Sequence, residues 1–395
     1  MKAVIPAAGK STRTFPLTLT RPKTLIPVVN KSIIERNLDA LVGLVDETII
    51  IVGYLKDDVK KSLGDSYKGI KLTYVEQKEQ LGTGHAISCA KDFIDDRFIV
   101  LNGDDLYSRV DIENCLKHDF SCLGKKVSDP EKWGIFILKN NFLDFIVEKP
   151  SDAPSDIANT ALYVLDKSVF DVKIEKSSRG EFEFTDMVSC FAKNHDVKVE
   201  LVSDYWIPVG YPWHVLEANE FFVSRIKESV INGFVEDNVF IKGNVIIGEG
   251  SVLKSGTYIE GPVVIGKNCV IGPNCYLRNN VVLGDNCKVG HSCEVKNTVV
   301  FNNSKIPHLS YIGDSVIGEN VNLGAGTVTA NLRHDNSNIK SFVNDKLLDS
   351  GRRKFGTIIG DNVHTGINTL IYPGRKIYPN CSTLPGEIVK KDIVN

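Results

Sequence analysis

The sequence from Val239 to Thr298 reads VFIKGN VIIGEG SVLKSG TYIEGP VVIGKN CVIGPN CYLRNN VVLGDN CKVGHS CEVKNT. The third residue of each group of six is aliphatic without a gap: Ile241, Ile247, Leu253, Ile259, Ile265, Ile271, Leu277, Leu283, Val289 and Val295. A six-residue period is typical of a parallel β-helix, in which three hexads close one triangular coil. Successive coils lie about 4.8 Å apart and bury the aliphatic column. This stretch therefore predicts a left-handed parallel β-helix of hexapeptide repeats.

The hexad period is not continuous to the end of the chain. It loosens between Lys305 and Asp314, resumes at Val316, and is interrupted by a polar stretch from Asn331 to Lys354. It returns as TIIGDN, VHTGIN, TLIYPG and RKIYPN. Interruptions of a solenoid usually project as loops, and such loops often form the binding face.

The chain has nine cysteines, an odd number without a CxxC pair, so the pattern favours neither a disulfide framework nor a common zinc site. Four of them follow the hexad period: Cys269, Cys275, Cys287 and Cys293. We expect these four to stack in one line on one side of the coil as small buried residues. Thiols in one line do not form the tetrahedron that zinc requires.

The first half of the sequence alternates β-rich and helical runs. The predicted strands are Lys2–Ile5, Glu47–Val52, Lys71–Val75 and Phe98–Leu101. This alternation is typical of an α/β domain with a mostly parallel, Rossmann-like sheet, which binds ligands beyond the carboxyl ends of its strands. The helical spacing of apolar residues from Trp213 to Ile231 predicts a connecting helix. We expect two domains, residues 1–222 and 223–395.

Composition excludes some classes of function. Lys and Arg number 47 and Asp and Glu number 49, so the net charge of −2 gives no global attraction to nucleic acid or to an anionic membrane. No run approaches the roughly 18 apolar residues of a membrane span. We expect a cytoplasmic protein that acts on small molecules.

A loop of small and basic residues follows the first predicted strand. It reads Pro6-Ala7-Ala8-Gly9-Lys10-Ser11-Thr12-Arg13, and Arg21-Pro22-Lys23 comes shortly after it. Small residues allow backbone N–H groups to approach phosphates closely. Arg13 and Lys23 can neutralise the charge that develops on a departing pyrophosphate. On its own, such a loop is equally typical of an ordinary strand-to-helix connection.

Other motifs of the first half make the functional interpretation stronger. Together with Gln80-Leu81-Gly82-Thr83-Gly84, Asn102-Gly103-Asp104 and Glu148-Lys149-Pro150, the loop resembles the signature of sugar-1-phosphate nucleotidylyltransferases. The resemblance covers residues 1 to about 222. It implies in-line attack of a sugar phosphate on the α-phosphorus of a nucleoside triphosphate, with release of pyrophosphate. Such a reaction depends mainly on positioning and charge stabilisation.

The resemblance also implies roles for individual residues. Arg13, Lys23 and Asp104 would be catalytic, and Asp104 would bind a Mg²⁺ ion that bridges the nucleotide and the attacking phosphate. The alternative for Asp104 is a turn residue at a strand end. The expected nucleotide contacts are Ala7, Ala8, Gly9, Gln77, Gly82 and Thr83. The expected contacts to the sugar and its phosphate are Gly134, Glu148, Lys149 and Asn159.

Two residues depart from the signature. Ser11 replaces the second glycine of the G-x-G-T-R loop. Pro208 stands in Trp206-Ile207-Pro208-Val209-Gly210, where the family commonly has a second carboxylate for the metal, and the nearby Asp204 is out of register. Because Mg²⁺ tolerates few protein ligands, we expect nucleotidyl transfer to be weakened or altered.

The second half carries its own motif. The runs Lys305-Ile306-Pro307-His308-Leu309-Ser310-Tyr311 and Asn322-Leu323-Gly324-Ala325-Gly326-Thr327 resemble the acetyltransferase half of bifunctional glucosamine-1-phosphate acetyltransferase/N-acetylglucosamine-1-phosphate uridylyltransferases. By this resemblance, His308 is the general base for attack of the sugar amine on the thioester of acetyl-CoA. The expected contacts to the amino sugar and acetyl-CoA are Arg278, Lys296, Tyr311, Asn322, Ala325 and Asn331. His291 and His364 lie in regular hexads and are interpreted as structural.

An insertion distinguishes this chain from the bacterial type. Residues Asn336 to Lys354 are extra and end in Arg352-Arg353-Lys354, which is typical of the archaeal branch of the family. The basic triplet would either bind the phosphates of coenzyme A or solvate a hairpin. The resemblance further implies a homotrimer formed through the β-helix.

We therefore expect a bifunctional enzyme with acetyl-CoA and UTP as co-substrates. It would acetylate glucosamine-1-phosphate, with galactosamine-1-phosphate as the alternative sugar, and then transfer a uridylyl group. In two alternative hypotheses only one half is active. One is a UTP- or dTTP-dependent nucleotidyltransferase with a structural or regulatory β-helix. The other is an acetyltransferase with a degenerate nucleotide-binding domain.

Overall fold

The computed structural model describes residues 1–177 and 179–394. The chain forms two compact units that do not follow the order of the sequence. The first unit contains Met1–Lys10, Pro22–Leu25 and Ile33–Pro208. The second contains Ser11–Arg21, Ile26–Ser32 and the described residues from Val209 onward. The division into functional domains at residues 222 and 223 stays a prediction.

The first unit is built on a ten-stranded mixed sheet. From edge to edge its strands are Gly134–Lys139, Phe142–Glu148, Lys198–Leu201, Ser121–Lys126, Ile157–Leu165, Phe98–Leu101, Lys2–Pro6, Glu47–Val52, Ile70–Glu76 and Ser66–Tyr67. The four strands expected from the sequence are all present. Lys2–Pro6 pairs in parallel with both Glu47–Val52 and Phe98–Leu101, and Glu47–Val52 pairs in parallel with Ile70–Glu76. The carboxyl ends of these strands therefore meet at one edge.

Five helices belong to the first unit and one to the second, among the residues that the structure describes. They are α1 (Ile33–Leu41), α2 (Lys56–Leu63), α3 (Thr83–Ser88), α4 (Arg109–Leu116), α5 (Phe184–Ala192) and α6 (His214–Ser224). Helix α1 buries Ile34, Leu38 and Leu41 at helical spacing against the sheet. Helix α4 is capped at its N-terminus by Ser108, whose hydroxyl accepts a hydrogen bond from the Val110 N–H at 3.2 Å. Within 1–177 and 179–394, every helix is too short or too polar to cross a lipid bilayer.

Short elements complete the connections. Turns of 3₁₀-helix occupy Thr12–Thr14, Leu17–Leu19, Lys23–Leu25, Lys91–Phe93, Pro130–Lys132 and Lys167–Asp171. Two-stranded antiparallel pairs join Pro27–Val28 to Lys31–Ser32, and Asp105–Tyr107 to Trp206–Pro208.

The second unit contains the three-sided parallel β-helix expected from the hexads. One face has the strands Val230–Ile231, Val245–Ile247, Val263–Ile265, Val281–Leu283, Val299–Val300, Val316–Ile317, Thr357–Ile359 and Arg375–Ile377. The next has Phe234–Val235, Val252–Leu253, Val270–Ile271, Lys288–His291 and Lys305–His308. The third has Phe240–Lys242, Tyr258–Glu260, Tyr276–Arg278, Glu294–Lys296, Tyr311–Gly313, Val328–Thr329, Leu370–Ile371 and Ile388–Val389. The aliphatic column is buried from Ile247 to Val295, as predicted, whereas Ile241 in the first coil is half-buried.

The start of the β-helix corrects one expectation. The predicted helix from Trp213 to Ile231 ends at Ser224. Val230–Ile231 is instead a strand that pairs with Ile246 and Ile247. The β-helix therefore begins before the first hexad recognised at Val239, because pairing with the next coil determines the conformation of these residues.

The loosened repeat near Lys305 is also more regular than expected. Val264 pairs with Val282, eighteen residues later, whereas Val282 pairs with Val299, seventeen residues later. Lys305–His308 stacks directly on Lys288–His291. The coils in this part of the chain are therefore one residue shorter than the preceding coils, and their strands still stack on one another.

The cysteines form two columns and not one line. Cys269 and Cys287 precede paired strands of one face, Val270–Ile271 and Lys288–His291. Cys275 and Cys293 precede paired strands of the next face, Tyr276–Arg278 and Glu294–Lys296. All four are buried in the core of the β-helix, as expected. The expectation of one line was wrong because a period of six distributes successive hexads over different faces.

The insertion folds into a hairpin with strands Lys340–Val343 and Lys346–Asp349. Phe342 on the first strand and Leu347 on the second face each other across the pair and are exposed. Ile339, just before the hairpin, is buried.

Candidate active sites

The small-residue loop lies at the carboxyl end of strand Lys2–Pro6. Ala7 and Ala8 are buried, whereas Gly9 is exposed. The N–H of Ala7 donates to the carbonyl of Ile51 at 2.7 Å. The carbonyl of Ala8 accepts hydrogen bonds from the Tyr54 N–H at 3.1 Å and from Gln80 Nε2 at 2.9 Å. Gln80, for which the sequence predicts no separate role, connects the two predicted nucleotide loops.

The second predicted nucleotide loop precedes helix α3. Gln77 is buried, and its Nε2 donates to the carbonyl of Gly82 at 3.3 Å. Gly82 has φ of 113°, and a Cβ atom there would lie 2.5 Å from the carbonyl oxygen of Phe182. Glycine is therefore required on both conformational and steric grounds. Thr83 opens the helix, and its hydroxyl accepts a hydrogen bond from the Phe184 N–H at 3.0 Å.

Lys23 and Asp104, two of the predicted catalytic residues, are in contact. The ammonium of Lys23 lies 2.6 Å from Oδ2 of Asp104. The Lys23 side chain is 5% exposed and that of Asp104 is 36% exposed. The carboxylate is therefore partly accessible to solvent, and the lysine that pairs with it is buried. Gly103, which precedes Asp104, packs closely on the first strand, because a Cβ atom there would lie 2.7 Å from the carbonyl oxygen of Pro6.

Asp105, next to Asp104, is buried. Its Oδ2 accepts a hydrogen bond from Nε1 of Trp206 at 3.2 Å. Burial, together with the charge of Asp104, raises the pKa of Asp105 above its ordinary value. Pro208, which replaces the expected second carboxylate, is paired with Asp105 across the two strands.

The donor set at this place fits a hard cation, with one exception. A partly exposed carboxylate such as Asp104 suits Mg²⁺, which retains several waters in protein sites. Pro208 provides no ligand. Within residues 1–177 and 179–394, no cluster of three or more His, Cys, Asp or Glu side chains has the geometry to hold a metal ion. An ion at Asp104 would therefore depend on water and substrate oxygens for its other ligands.

The residues predicted to hold the sugar and its phosphate converge. Gly134 pairs with Glu148 across neighbouring strands. A Cβ atom on Gly134 would lie 2.9 Å from Oε2 of Glu148 and 3.7 Å from the Cβ of Asn159. Nδ2 of Asn159 donates to the hydroxyl of Tyr163 at 2.6 Å. Lys149 follows directly, with its ammonium 4.0 Å from Oε1 of Glu148.

The segment that carries Ser11 and Arg13 lies in the second unit. Ser11 adopts φ of 51°, a left-handed conformation that glycine adopts more readily than serine. Its carbonyl accepts hydrogen bonds from the hydroxyls of Thr14 at 2.8 Å and Thr18 at 2.9 Å. Arg13 is exposed, and its guanidinium lies 5.7 Å from the ring centre of Tyr211.

His308 ends strand Lys305–His308 in the β-helix and is exposed. Its carbonyl accepts a hydrogen bond from the N–H of Gly326 at 3.3 Å, so the loop with Ala325 lies on the next coil beside it. His291 occupies the same register one coil earlier. The imidazole of His308 is thus accessible to a substrate, whereas Asn322 lies over Lys305, at the other end of the strand.

Arg278 and Lys296, two of the predicted contacts to the amino sugar and acetyl-CoA, occupy one column on adjacent coils. Nη2 of Arg278 lies 2.7 Å from Oε1 of Glu294. Burial lowers the pKa of Arg278, but the hydrogen bond and the charge of Glu294 outweigh it, so the net shift is upward. Nζ of Lys296 lies 2.9 Å from Oδ2 of Asp314, and both side chains are almost completely buried. Each cation therefore already has a carboxylate partner.

Asp314 joins several of the predicted contacts. Its Oδ2 accepts from Lys296 Nζ and from Asn331 Nδ2 at 2.5 Å, and its Oδ1 accepts from Asn297 Nδ2 at 2.8 Å. Asn331 Nδ2 also donates to the hydroxyl of Tyr311 at 3.1 Å. Burial raises the pKa of Tyr311 above its ordinary value. The structure therefore brings Lys296, Tyr311 and Asn331 together around one carboxylate.

The basic triplet of the insertion has defined partners. Arg352 is hydrogen-bonded to Glu220 on helix α6 and lies 3.8 Å from Glu217 on the same helix. Arg353 Nη1 donates to Oδ1 of Asn336 at 3.1 Å. The stretch forms a hairpin, and the largely buried Arg352 fixes the insertion to helix α6, whereas binding of coenzyme A phosphates by the triplet stays a prediction.

Sequence reasoning did not identify several residues of these sites. Arg179 lies with its Nη1 3.6 Å from Oε1 of Glu148, and Glu294 and Asp314 pair with Arg278 and Lys296. A search for a carboxylate one coil away from each predicted cation could have found the last two.

Comparison with known proteins gives matches over the whole chain. The pattern of the family described as "Nucleotidyl transferase" matches residues 2–225, and that of the "GMPPB C-terminal domain" matches residues 259–394. A "Bifunctional protein GlmU" from Methanocaldococcus jannaschii is 42% identical over 398 residues, which cover 100% of this chain and 96% of the relative. A "Bifunctional sugar-1-phosphate nucleotidylyltransferase/acetyltransferase" from Sulfurisphaera tokodaii is 44% identical over 403 residues, covering 100% and 98%.

A solved structure matches part of the chain. It is a putative glucose-1-phosphate thymidylyltransferase from Bacillus anthracis in complex with a sucrose, 29% identical with a TM-score of 0.52. The match covers 58% of this chain and 98% of that chain.

Proposed function

The chain belongs to the family of bifunctional sugar-1-phosphate nucleotidylyltransferase/acetyltransferases, and we propose from this membership that it makes a UDP-N-acetylated amino sugar in two steps. The first step is acetyl-CoA-dependent N-acetylation of glucosamine-1-phosphate, or of galactosamine-1-phosphate. The second is uridylyl transfer from UTP to the acetylated sugar phosphate, with release of pyrophosphate. Residues 1–222 would carry the uridylyl transfer and residues 223–395 the acetyl transfer.

The observation that carries the proposal is the length of the similarity. The relatives named as bifunctional proteins align with the full length of this chain, so each half has a counterpart in them. This does not favour the alternatives in which only one half is active. The contact between Lys23 and Asp104 and the exposure of His308 support one site in each half.

In the acetyl transfer, the free amine of the sugar attacks the carbonyl carbon of the thioester. The C–N bond forms, the C–S bond breaks, and coenzyme A leaves as the thiol. His308 would accept the proton that the amine loses, which is the role of a general base within reach of its substrate. The cluster of Lys296, Tyr311 and Asn331 around Asp314 would bind the polar groups of the sugar phosphate, with Arg278 adding positive charge on the adjacent coil.

In the uridylyl transfer, an oxygen of the sugar phosphate attacks the α-phosphorus of UTP. Arg13 and Lys23 would stabilise the negative charge that accumulates as pyrophosphate leaves. Gln77, Gly82 and Thr83, with the backbone at Ala7 and Ala8, would bind the nucleotide. Gly134, Glu148, Lys149 and Asn159 would bind the sugar. Asp104 would hold Mg²⁺, which supplies positive charge to phosphate oxygens when bound.

Two independent assays test the proposal on the purified full-length protein. One measures pyrophosphate release from UTP, or dTTP, with N-acetylglucosamine-1-phosphate. The other measures free thiol released from acetyl-CoA with glucosamine-1-phosphate or galactosamine-1-phosphate. We expect Asp104→Ala to abolish the first activity and leave the second, and His308→Ala to do the reverse. Retention of thiol release by His308→Ala would show that the acetyltransferase assignment is wrong.

We also propose that the enzyme is a cytoplasmic homotrimer formed through the faces of the β-helix. The exposed apolar residues Phe240 and Tyr258, which pair on adjacent coils of one face, support this, because contiguous apolar surface usually marks an interface. Light scattering during size-exclusion chromatography should give three times the mass of one chain. A monomer at micromolar concentration would contradict the proposal.

A further inference from the structure

A short part of the nucleotidyltransferase signature is held by the β-helix. Ser11–Arg21 belongs to the second compact unit, although Lys10 and Pro22–Leu25 belong to the first. The segment contains Arg13, to which we assign stabilisation of the departing pyrophosphate. The residues that hold this segment therefore bear on nucleotidyl transfer even where they lie in the part of the chain assigned to acetyl transfer.

Arg21, at the end of the segment, forms the main polar contact. Its Nη2 lies 2.5 Å from Oδ2 of Asp361 and 3.2 Å from Oε2 of Glu319. The Arg21 side chain is 14% exposed and that of Asp361 is 8% exposed. The guanidinium also lies 4.9 Å from the ring centre of the buried Phe301. A cation this deeply buried is stable only while its carboxylate partner is present.

Asp361 is itself oriented by neighbouring groups. Its Oδ2 also accepts a hydrogen bond from the hydroxyl of Thr20 at 2.6 Å. Its Oδ1 accepts from the N–H of Glu319, on the preceding coil, at 2.7 Å. Both carboxylate oxygens of Asp361 therefore accept hydrogen bonds, and Oδ2 accepts them from two adjacent residues of the segment, Thr20 and Arg21.

Two further contacts hold the middle and the start of the segment. Nζ of Lys376, in the β-helix, donates to the carbonyl of Phe15 at 3.0 Å and to the carbonyl of Phe342 in the insertion hairpin at 2.5 Å. Nδ2 of Asn344, at the tip of that hairpin, donates to the hydroxyl of Thr12 at 3.2 Å. Thr12 precedes Arg13 directly, so the contacts lie on both sides of the catalytic candidate.

We infer that Arg21 and Asp361 are positioning residues for nucleotidyl transfer, and that this reaction depends on a carboxylate of the β-helix. The inference rests on the proposed function and deepens it. Arg13 is exposed, so its position depends on the backbone that carries it. A displacement of a phosphate-binding group by about 1 Å can reduce the rate by about a hundredfold. Loss of the Arg21–Asp361 contact releases that backbone at one end.

The test compares Asp361→Ala and Arg21→Ala with a matched pair of variants. Arg333 and Asp335 form an exposed ion pair in the same unit, with 2.7 Å between Nη2 and Oδ2. Arg333→Ala and Asp335→Ala therefore remove the same charges without touching the segment. For Asp361→Ala and Arg21→Ala we expect kcat/KM for pyrophosphate release to fall by about tenfold or more, while thiol release changes by less than about twofold. The matched variants should change neither activity.

Two additional measurements separate positioning from folding. Arg21→Lys keeps a cation near Asp361 and should recover part of the kcat that Arg21→Ala loses. A purely structural defect at position 21 would not show this recovery. Trypsin should cleave after Arg13 faster in Asp361→Ala than in wild type, because the segment is released while the rest of the chain stays folded.

The outcomes are distinct. Wild-type pyrophosphate release in Asp361→Ala would overturn the inference and leave the proposed function intact. An equal fall of both activities, together with a lower melting temperature, would also overturn it, since Asp361 would then act only in folding. Absence of pyrophosphate release from the wild-type protein would overturn the proposed function, and this inference with it.

Discussion

Pro208 lies directly opposite Asp105 in the antiparallel pair formed by Trp206–Pro208 and Asp105–Tyr107. Directly opposed residues in such pairs have Cβ atoms about 4.5–5.5 Å apart. Trp206, two residues before Pro208 on the same strand, bonds Asp105 through Nε1. A side chain at position 208 therefore lies beside Asp105, the residue next to Asp104, which the proposed metal site uses.

Pro208→Asp should increase nucleotidyl transfer several-fold and lower the Mg²⁺ concentration required for half-maximal rate. The physical reason is that a second carboxylate adds a ligand of the type that Mg²⁺ prefers. Pyrophosphate release measured over a range of Mg²⁺ concentrations checks the prediction. Pro208→Asn is the control, since it has a similar shape without the charge, and an equal gain in both variants would count against a metal effect.

Ser11→Gly should raise the free energy of unfolding by about 0.5–1 kcal/mol, because a residue with a Cβ atom is strained at the left-handed φ of 51°. Urea unfolding measures the difference. Ser11→Ala should be neutral, since it keeps the Cβ atom and the Ser11 side chain caps no helix. The prediction is wrong if alanine stabilises the protein as much as glycine.

His308→Gln should reduce kcat for thiol release by about 10²–10⁴-fold, the usual contribution of general base catalysis. His291→Gln is the matched control, because His291 is exposed in the same register one coil earlier. The control should stay within about twofold of wild type. Comparable losses in both variants would assign the effect to the histidine column and not to one base.

Asp314→Asn should impair acetyl transfer and leave pyrophosphate release unchanged. Asp314 and Lys296 are both almost completely buried, and removing one partner of a buried ion pair typically costs about 3–5 kcal/mol. We expect a higher KM for glucosamine-1-phosphate and a lower melting temperature. Asp237→Asn, at an exposed position of the first coil, should change neither quantity. An unchanged KM for the amino sugar would separate Asp314 from substrate binding.

The buried amine of Lys376 should make the free energy of unfolding depend on pH. Its side chain is 1% exposed, and burial lowers its pKa from 10.5 to about 8. The negative charge of Asp392 opposes this shift, whereas the positive charge of Arg375 adds to it. Below pH 8 the amine is protonated in both the folded and the unfolded chain. Between pH 8 and 10.5 the unfolded chain binds the proton and the folded chain does not, so the free energy of unfolding rises with pH.

The size of the Lys376 effect is up to about 3 kcal/mol over this interval, since each pKa unit corresponds to about 1.36 kcal/mol. Urea unfolding of wild type and Lys376→Met at several pH values isolates it, because the other titrating groups are shared. The difference in unfolding free energy between the two proteins should increase in favour of wild type as pH rises. A difference that stays constant with pH would contradict the assignment.

The fold was largely predictable because its two periodicities are local. The hexads indicate the β-helix, and the run Glu47–Val52 has the same bounds as its strand. The helix predicted to Ile231 failed because apolar residues at helical spacing also suit a strand, and pairing with Ile246 and Ile247 decides between them. The coils of seventeen residues could not be counted from the hexads, since a residue missing at a corner leaves each strand pattern unchanged.

The sites were predictable only in part. Motifs indicate the residues that meet a ligand, and the contacts of Lys23 with Asp104 and of Gly134 with Glu148 agree with them. The partners Glu294 and Asp314 carry no motif of their own. Their positions depend on the number of residues in each coil, which determines whether a carboxylate lies beside Arg278 or Lys296. That number is a property of the folded stack.

The assignment of Ser11–Arg21 to the second unit has a consequence for how such a gene can be recombined. A fragment ending at residue 225, where the nucleotidyl transferase pattern stops, would still encode Arg21 but would lose both Asp361 and Lys376. Chimeras that take their two halves from different relatives would bring together an arginine and a carboxylate that were never selected as a pair. The halves of this enzyme are therefore expected to be inherited as one unit and to exchange poorly.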